Sequence, residues 1–131
     1  MTPTEVARKL STFESSLAEE RGSFALFALA IREEVPDRWD LLISAPWLGD
    51  DEQAALAYLI AQIKSKLGAE YLTYLSRIVV VDPDHAKLQE FNDLVQVEHG
   101  SVDMRDDYLF GLLVKRAYII TSKRPVVPAA K

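Results

Sequence analysis

Two apolar segments on either side of a charged turn constrain the fold of this 131-residue chain more than any other feature. They cover residues 24–31 and 39–45, and the turn between them contains Pro36. Segments that are apolar at consecutive positions, rather than at alternate ones, are typical of strands buried on both faces. The pattern therefore predicts two strands paired as an antiparallel hairpin.

The first of these segments also allows a second interpretation. Residues 24–31 are rich in Ala and Leu, which favour helix, and periodicity does not distinguish a buried helix from a buried strand in so short a run. The length of the run and its flanking residues favour the strand. The choice between strand and helix for residues 24–31 is left to the structure.

The N-terminal segment carries the signals of an amphipathic helix. Residues 2–5 form a capping box with Thr2 as the cap, and Gly22 ends the helix. Charged residues, Glu14 among them, are expected on the exposed side of this helix. Its core side is expected to consist of the apolar residues that recur at spacings of three and four, namely Val6, Leu10, Phe13 and Leu17.

The rest of the chain is predicted to form short helices and strands. A second helix follows the acidic cap at Asp50 and ends at Gly68, whereas residues 69–76 fit either a helical turn or an extended connection. The later predictions are a buried strand over 77–81, a short helix capped by Asp82, a strand over 95–99, and two short extended pieces or one bent strand over 108–121.

Together these elements predict a single α+β domain over residues 1–124 and a loosely ordered C-terminal tail over 125–131. The domain is expected to contain a mixed β-sheet of about five strands with helices packed on it. The first helix is expected to cover one face of this sheet.

Composition and charge exclude several classes of function. With no Cys the chain has no disulfides or thiolate metal sites, and no apolar run reaches the ~20 residues of a membrane helix. The N-terminus has no secretion signal, so we expect a soluble cytoplasmic protein without a membrane partner. A net charge of −5 makes nucleic acid an unlikely partner. An accessory role on nucleic acid would depend on basic residues of the C-terminal half: Arg105, Lys115, Arg116, Lys123 and Arg124.

The segment Asp82-Pro83-Asp84-His85 follows the predicted buried strand and has two interpretations. Carboxylates and an imidazole at the end of a sheet strand are potential ligands for a divalent cation. The same residues also fit an ordinary helix start, with Asp82 as the cap. The helix start is favoured because it explains most of these residues without a ligand.

The second histidine lies in Glu98-His99-Gly100, at the end of a predicted strand. Adjacent strand residues point to opposite faces, so Glu98 and His99 are not expected to share a proton or a metal ion. No nucleophile motif accompanies either histidine. The sequence therefore predicts no catalytic residue.

Asp40 is the most unusual residue of the second apolar segment, because a carboxylate inside a buried strand needs a cationic or hydrogen-bonding partner. Arg32 and Arg38 are the candidate partners. Two nearby aromatic residues, Trp39 and Trp47, are expected to pack in the core rather than to stack on a ligand.

The order of elements over residues 4–100 resembles that of the minimal nucleotidyltransferase domains. In that family a Gly-Ser pair ends the first strand, and an Asp-x-Asp motif opens the second and holds Mg²⁺ and nucleotide phosphates. Here Ala28 and Leu29 occupy the Gly-Ser positions, Arg38 replaces the first aspartate, and Asp40 alone is in register. The third carboxylate is missing from the 77–81 strand. The resemblance therefore implies a catalytically inactive relative, with Arg38 paired to Asp40.

The sequence thus predicts a small cytosolic, non-catalytic domain that needs no cofactor and acts by protein–protein binding or as a homodimer. The alternatives are a nucleic-acid accessory module and a nucleotidyltransferase-like protein that binds Mg²⁺ and a nucleotide. The candidate residues for a nucleotide are Arg38, Asp40 and Asp82. The candidate ligands for a metal ion are Asp40, Asp82, Asp84 and His85.

Overall fold

The computed structural model describes residues 3–32, 38–109 and 112–124, and these residues form a single α+β domain, as predicted. The elements follow one another as α1 (Pro3–Arg21), β1 (Leu26–Arg32), β2 (Trp39–Ser44), a 3₁₀ turn (Pro46–Leu48), α2 (Glu52–Lys66), a second 3₁₀ turn (Ala69–Tyr74), β3 (Leu75–Val80), α3 (Ala86–Leu94), β4 (Val102–Leu109) and β5 (Leu112–Ser122). The predicted cap Thr2 and the predicted tail 125–131 lie outside the described residues.

The five strands form one mixed sheet in the order β3-β2-β1-β5-β4. β1 pairs with β2 as the predicted antiparallel hairpin, with Leu26 opposite Ser44 and Ala30 opposite Asp40. β1 also pairs with β5 on its other side, so the strand interpretation of residues 24–31 is confirmed. Helix α2 connects β2 to β3, which lie parallel, as a crossover connection requires.

The sheet is covered on both faces, which explains why its central strands are apolar at consecutive positions. Phe27 and Leu29 of β1 point to the side that α1 and α2 cover. The intervening Ala28 and Ala30 point to the opposite side, where Leu88 of α3 packs. The alternation of strand side chains thus divides the core into two layers, one on each face.

Aromatic residues close the core beside the end of α1. Helix α1 stops at Gly22, whose φ of 125° favours glycine, and the Trp47 indole N–H donates to the Gly22 carbonyl at 2.7 Å. The Trp47 ring packs edge-on against Phe24, with ring centroids 5.1 Å apart. Trp39 is buried against Tyr118. The prediction that both tryptophans pack in the core is confirmed.

The sequence-based assignment fails between residues 95 and 107. The predicted strand over 95–99 is wrong, because this segment makes one isolated bridge, Val97 to Ser122, followed by a bend. The fourth strand is β4, which the sequence conceals because it lies at the sheet edge and carries charges throughout. The predicted segment 108–121 contains the end of β4 and most of β5, which is a single strand of 11 residues.

Within the part of the chain that the structure describes, no helix has the length and apolar character needed to span a bilayer.

Candidate functional site

Asp40 lies in β2 with 1% of its surface exposed and is held by two arginines. Its Oδ2 atom is 2.6 Å from Nε of Arg32 and 3.2 Å from Nε of Arg77. The two arginines come from the strands on either side, β1 and β3, and Arg77 is the register partner of Asp40. Because Asp40 is buried and two permanent cations contact its Oδ2 atom, this environment disfavours a bound Mg²⁺ ion.

The prediction that Arg32 is a partner of Asp40 is confirmed, and Arg77 is a partner that the sequence did not indicate. Arg38 is exposed and immediately precedes β2, and the two ion pairs of Asp40 go to other residues. Arg77 was missed because its position opposite Asp40 depends on the register of a parallel strand pair. Local sequence pattern does not determine that register.

The residues after β3 form a turn and a helix cap. Oδ1 of Asp82 accepts a hydrogen bond from the Asp84 N–H at 2.9 Å, and Nδ1 of His85 accepts one from the Lys87 N–H at 3.1 Å. His85 is therefore the N-cap of α3, and the prediction that Asp82 caps this helix is wrong. Asp82 instead closes a local turn that precedes the helix.

The predicted metal ligands are not brought together. Asp40 lies opposite Arg77 near the beginning of β3, whereas Asp82 follows the end of that strand, about 17 Å farther along at about 3.3 Å per residue. Among the described residues no group of three or more His, Asp or Glu side chains is arranged to hold a metal ion. Asp82 lines a cleft of about 270 Å³ with Asp50 and Glu52, a negative environment that disfavours nucleotide phosphates.

A different pair of titratable side chains, Glu14 and His99, forms the most structured polar site. Glu14 is fully buried, although its charge predicted the exposed side of α1. Its Oε1 atom is 2.6 Å from Nδ1 of His99, and its Oε2 atom accepts a hydrogen bond from the Thr121 hydroxyl at 2.8 Å. Oγ1 of Thr121 in turn accepts the backbone N–H of His99 at 3.1 Å. These contacts form a closed network that fixes the imidazole ring.

The signal for Glu14 was present in the sequence. Glu14 is four residues after Leu10 and three before Leu17, so it lies within the apolar stripe of α1. A carboxylate in that stripe predicts a buried partner, but no cation stands three or four residues from Glu14, where a helix neighbour would meet it. His99 is 85 residues away, and sequence spacing does not identify it.

The segment around His99 is a bend rather than the strand that the prediction for Glu98 and His99 assumed. His99 has a left-handed φ of 54°, so the two side chains do not alternate as in a strand. Oε2 of Glu98 lies 3.7 Å from Nε2 of His99 and 2.6 Å from Nζ of Lys123. The hydrogen bond from the Lys123 ammonium lowers the pKa of Glu98, and the nearby His99 adds to this effect. Glu98 is therefore held in its ionised form.

His99 opens onto a cleft between its bend and α1. The imidazole side chain is 38% exposed, and the cleft has a volume of about 400 Å³. The His99 carbonyl lies 3.5 Å from the Ser11 hydroxyl, which contributes to the cleft wall. The other lining residues are polar side chains of α1: Thr12, Ser15, Ser16 and Glu19. His99, whose Nδ1 atom is fixed by Glu14, thus lines a cleft with hydroxyl side chains.

Three of the basic residues considered for nucleic-acid binding are neutralised by acidic partners. Nη2 of Arg116 is 2.9 Å from Asp103, Lys123 binds Glu98, and Nη2 of Arg124 is 2.7 Å from Asp93. The arginine hydrogen bonds lower the pKa values of Asp93 and Asp103. These cations therefore do not form a free positive patch.

Comparisons of this chain with protein-family models, with curated proteins and with solved structures find no match.

Proposed function

We propose that this domain acts by binding protein rather than by catalysis, and that it forms a homodimer by pairing the β3 edge of its sheet with that of a second copy. One observation carries this proposal. β3 is a terminal strand of the sheet, and its apolar residues are only partly buried. An apolar edge strand offers unpaired backbone groups and side-chain area to an added strand.

The direction of the backbone groups in β3 supports this proposal. The N–H of Val81, which follows the strand, donates to the Ile43 carbonyl of β2 at 2.8 Å. Because backbone groups alternate along a strand, Ile78 and Val80 direct their N–H groups to the open side. An antiparallel copy of β3 satisfies these groups and makes a two-fold symmetric interface.

The charges of the two sheet edges favour β3 as the dimer edge. At the other edge β4 carries Asp103, Arg105 and Asp106, and Asp106 has a left-handed φ of 50° that interrupts a regular strand. Charged and irregular edges resist strand addition. β3 has one charged residue, Arg77, and its guanidinium is bound to Asp40. Two copies of β3 therefore meet with little charge repulsion.

Sedimentation analysis of the pure protein at micromolar concentration tests this proposal. We expect a dimer for the natural sequence and a monomer for Ile78→Lys, because a lysine on an edge strand blocks strand pairing. The matched control is Met104→Lys on β4, a partly buried residue of the opposite edge, which should leave the dimer intact. A strictly monomeric natural protein that also captures no partner from lysate would remove the proposal.

Binding of Mg²⁺ with a nucleotide at Asp40 is not part of this proposal, because Asp40 is buried between two guanidinium groups. A cytoplasmic location stays a prediction.

A further inference from the structure

One flank of helix α2 faces α1. The Tyr58 ring lies edge-on to the Trp47 ring, with centroids 6.0 Å apart, and the Arg21 guanidinium at the end of α1 lies 4.8 Å from the Tyr58 centroid. Nζ of Lys66 donates a hydrogen bond to Oε1 of Glu20 at 2.9 Å. Helix α1 packs on β5 and α2 packs on β3, which is the edge strand. The other flank of α2 is therefore directed toward the β3 edge of the sheet.

The flank of α2 on the side of the β3 edge is apolar. Leu56 and Ile60 are four residues apart, so they lie on the same side of the helix, and both are only partly buried. Each is two residues from Tyr58, which places it about 160° around the helix from that ring. Ala57 beside them is exposed and has only a methyl group, so another helix can approach this flank closely.

Pairing of β3 alone gives a small interface. The strand has six residues and is therefore about 20 Å long. With layers about 10 Å apart its edge offers roughly 200 Å², whereas a stable interface buries about 800 Å² of each partner. A dimer built on β3 therefore needs a second contact, and the flank of α2 is an apolar surface beside the same edge.

The spacing of the sheet brings the two copies of α2 together. Leu59 and Ile63 of α2 pack in the same core layer as Ile43 of β2 and Ile78 of β3, so the helix lies above this strand pair. If the sheet continues across a two-fold axis at β3, the two helix axes are about two strand spacings, or about 10 Å, apart. Helices pack at distances of about 8–10 Å. The two copies of α2 are therefore at packing distance.

The length and charges of α2 favour an antiparallel helix pair centred on Ile60. The 15-residue helix is about 22 Å long and antiparallel to β3, so both elements have about the same length. When β3 pairs at Ile78, the middle of α2 lies at the two-fold axis, where Ile60 meets its counterpart. Glu52 at the start of α2 is then near Lys64 at the end of the partner helix, and these charges attract.

We propose that the second copy of the chain covers the flank of α2 formed by Leu56 and Ile60 with the same flank of its own α2. The dimer then joins two five-stranded sheets into one and has an antiparallel helix pair across its two-fold axis. This inference rests on the proposed pairing of β3 and names the further surface that the partner needs.

Site-directed cross-linking tests this helix pair cleanly, because the natural chain contains no cysteine. We expect Ile60→Cys, oxidised with diamide, to form a disulfide-linked dimer, since the two thiols meet at the axis. The matched control is Ser65→Cys, an exposed position on the same helix about 140° around from Ile60, which should stay unlinked. In sedimentation analysis, Ile60→Lys should raise the dissociation constant of the dimer at least tenfold.

The outcomes separate this inference from the pairing of β3. A natural dimer that does not cross-link in Ile60→Cys and keeps its dissociation constant in Ile60→Lys would overturn the helix pair and leave the strand pairing in place. Equal cross-linking of Ser65→Cys would also overturn the helix pair, whereas a monomeric natural chain would overturn both proposals. If circular dichroism shows that Ile60→Lys does not fold, the two cysteine variants decide the question.

Discussion

The sheet buries one carboxylate on each face, and the partners of the two carboxylates differ. On the α3 face Asp40 is bound by Arg32 and Arg77, which remain charged at any pH that the protein tolerates. On the α1 face Glu14 is bound by His99 and Thr121, neither of which is a permanent cation.

Asp40 thus belongs to a structural ion pair, whereas Glu14 positions a partly exposed imidazole. The carboxylate of Asp40 is enclosed between strands, and a buried ion pair of this kind holds neighbouring strands in register rather than binding a ligand. The imidazole that binds Glu14 is 38% exposed and lines a cleft. Asp40, the acid that the sequence marks as unusual, is thus less accessible to a ligand than the imidazole paired with Glu14.

The largest effect is expected from Asp40→Asn, which leaves two guanidinium groups without their counter-ion. Removal of one partner from a buried ion pair costs about 3–5 kcal/mol, and we expect a loss near the lower value because Arg77 is 42% exposed. Urea unfolding followed by circular dichroism measures this change. The matched control is Asp103→Asn at the surface, where loss of the ion pair with Arg116 should cost at most about 1 kcal/mol. Equal losses in the two variants would contradict the structural role of Asp40.

A smaller effect is expected from Glu14→Gln. The glutamine keeps the size of the side chain but loses the charge-assisted hydrogen bond to His99, at a cost of about 1.5–3 kcal/mol. The cost should be below that of Asp40→Asn because a histidine can lose its charge, whereas an arginine cannot. The control is Glu19→Gln, an exposed acid on the same helix, which should change stability by at most about 0.5 kcal/mol. A Glu14→Gln variant as stable as this control would show that the buried network contributes nothing.

The parts of the fold that the sequence predicted are those that local pattern determines. The hairpin of β1 and β2, the helix boundary at Gly22 and the burial of Asp40 follow from apolar runs, glycine and strand position. β4 was missed because an edge strand does not need an apolar face and its charges protect it from pairing. The segment before it was taken for a strand because Val95 and Val97 alternate with polar residues.

The candidate site was less predictable than the fold, because it joins distant parts of the chain. Glu14 comes from α1, His99 from the bend before β4, and Thr121 from β5. The prediction for Glu98 and His99 assumed strand geometry, which the left-handed φ of His99 removes. The sequence indicated a buried acid at position 14, because this position lies in an apolar stripe. Its partner could be identified only once the order of strands in the sheet was known.

The smallest effect is expected for Glu98, an acid at the surface that forms an ion pair with Lys123. The Lys123 ammonium lowers the pKa of Glu98 below its ordinary value near 4.5 in the folded state. The folded state therefore binds fewer protons than the unfolded chain, so this contribution is present above pH 4.5 and is lost as the pH falls through the folded-state pKa.

We expect Lys123→Met to cost about 0.2–1 kcal/mol at pH 7 and progressively less as the pH falls from 4.5 toward 3 and through the lowered folded-state pKa of Glu98, because protonated Glu98 has no charge to pair. Urea unfolding of both proteins across this pH range measures the difference. Because the pair is exposed, 1 M NaCl at pH 7 should reduce the difference as well. A difference that stays constant with pH and salt would show that Lys123 acts through the packing of its side chain rather than through its charge.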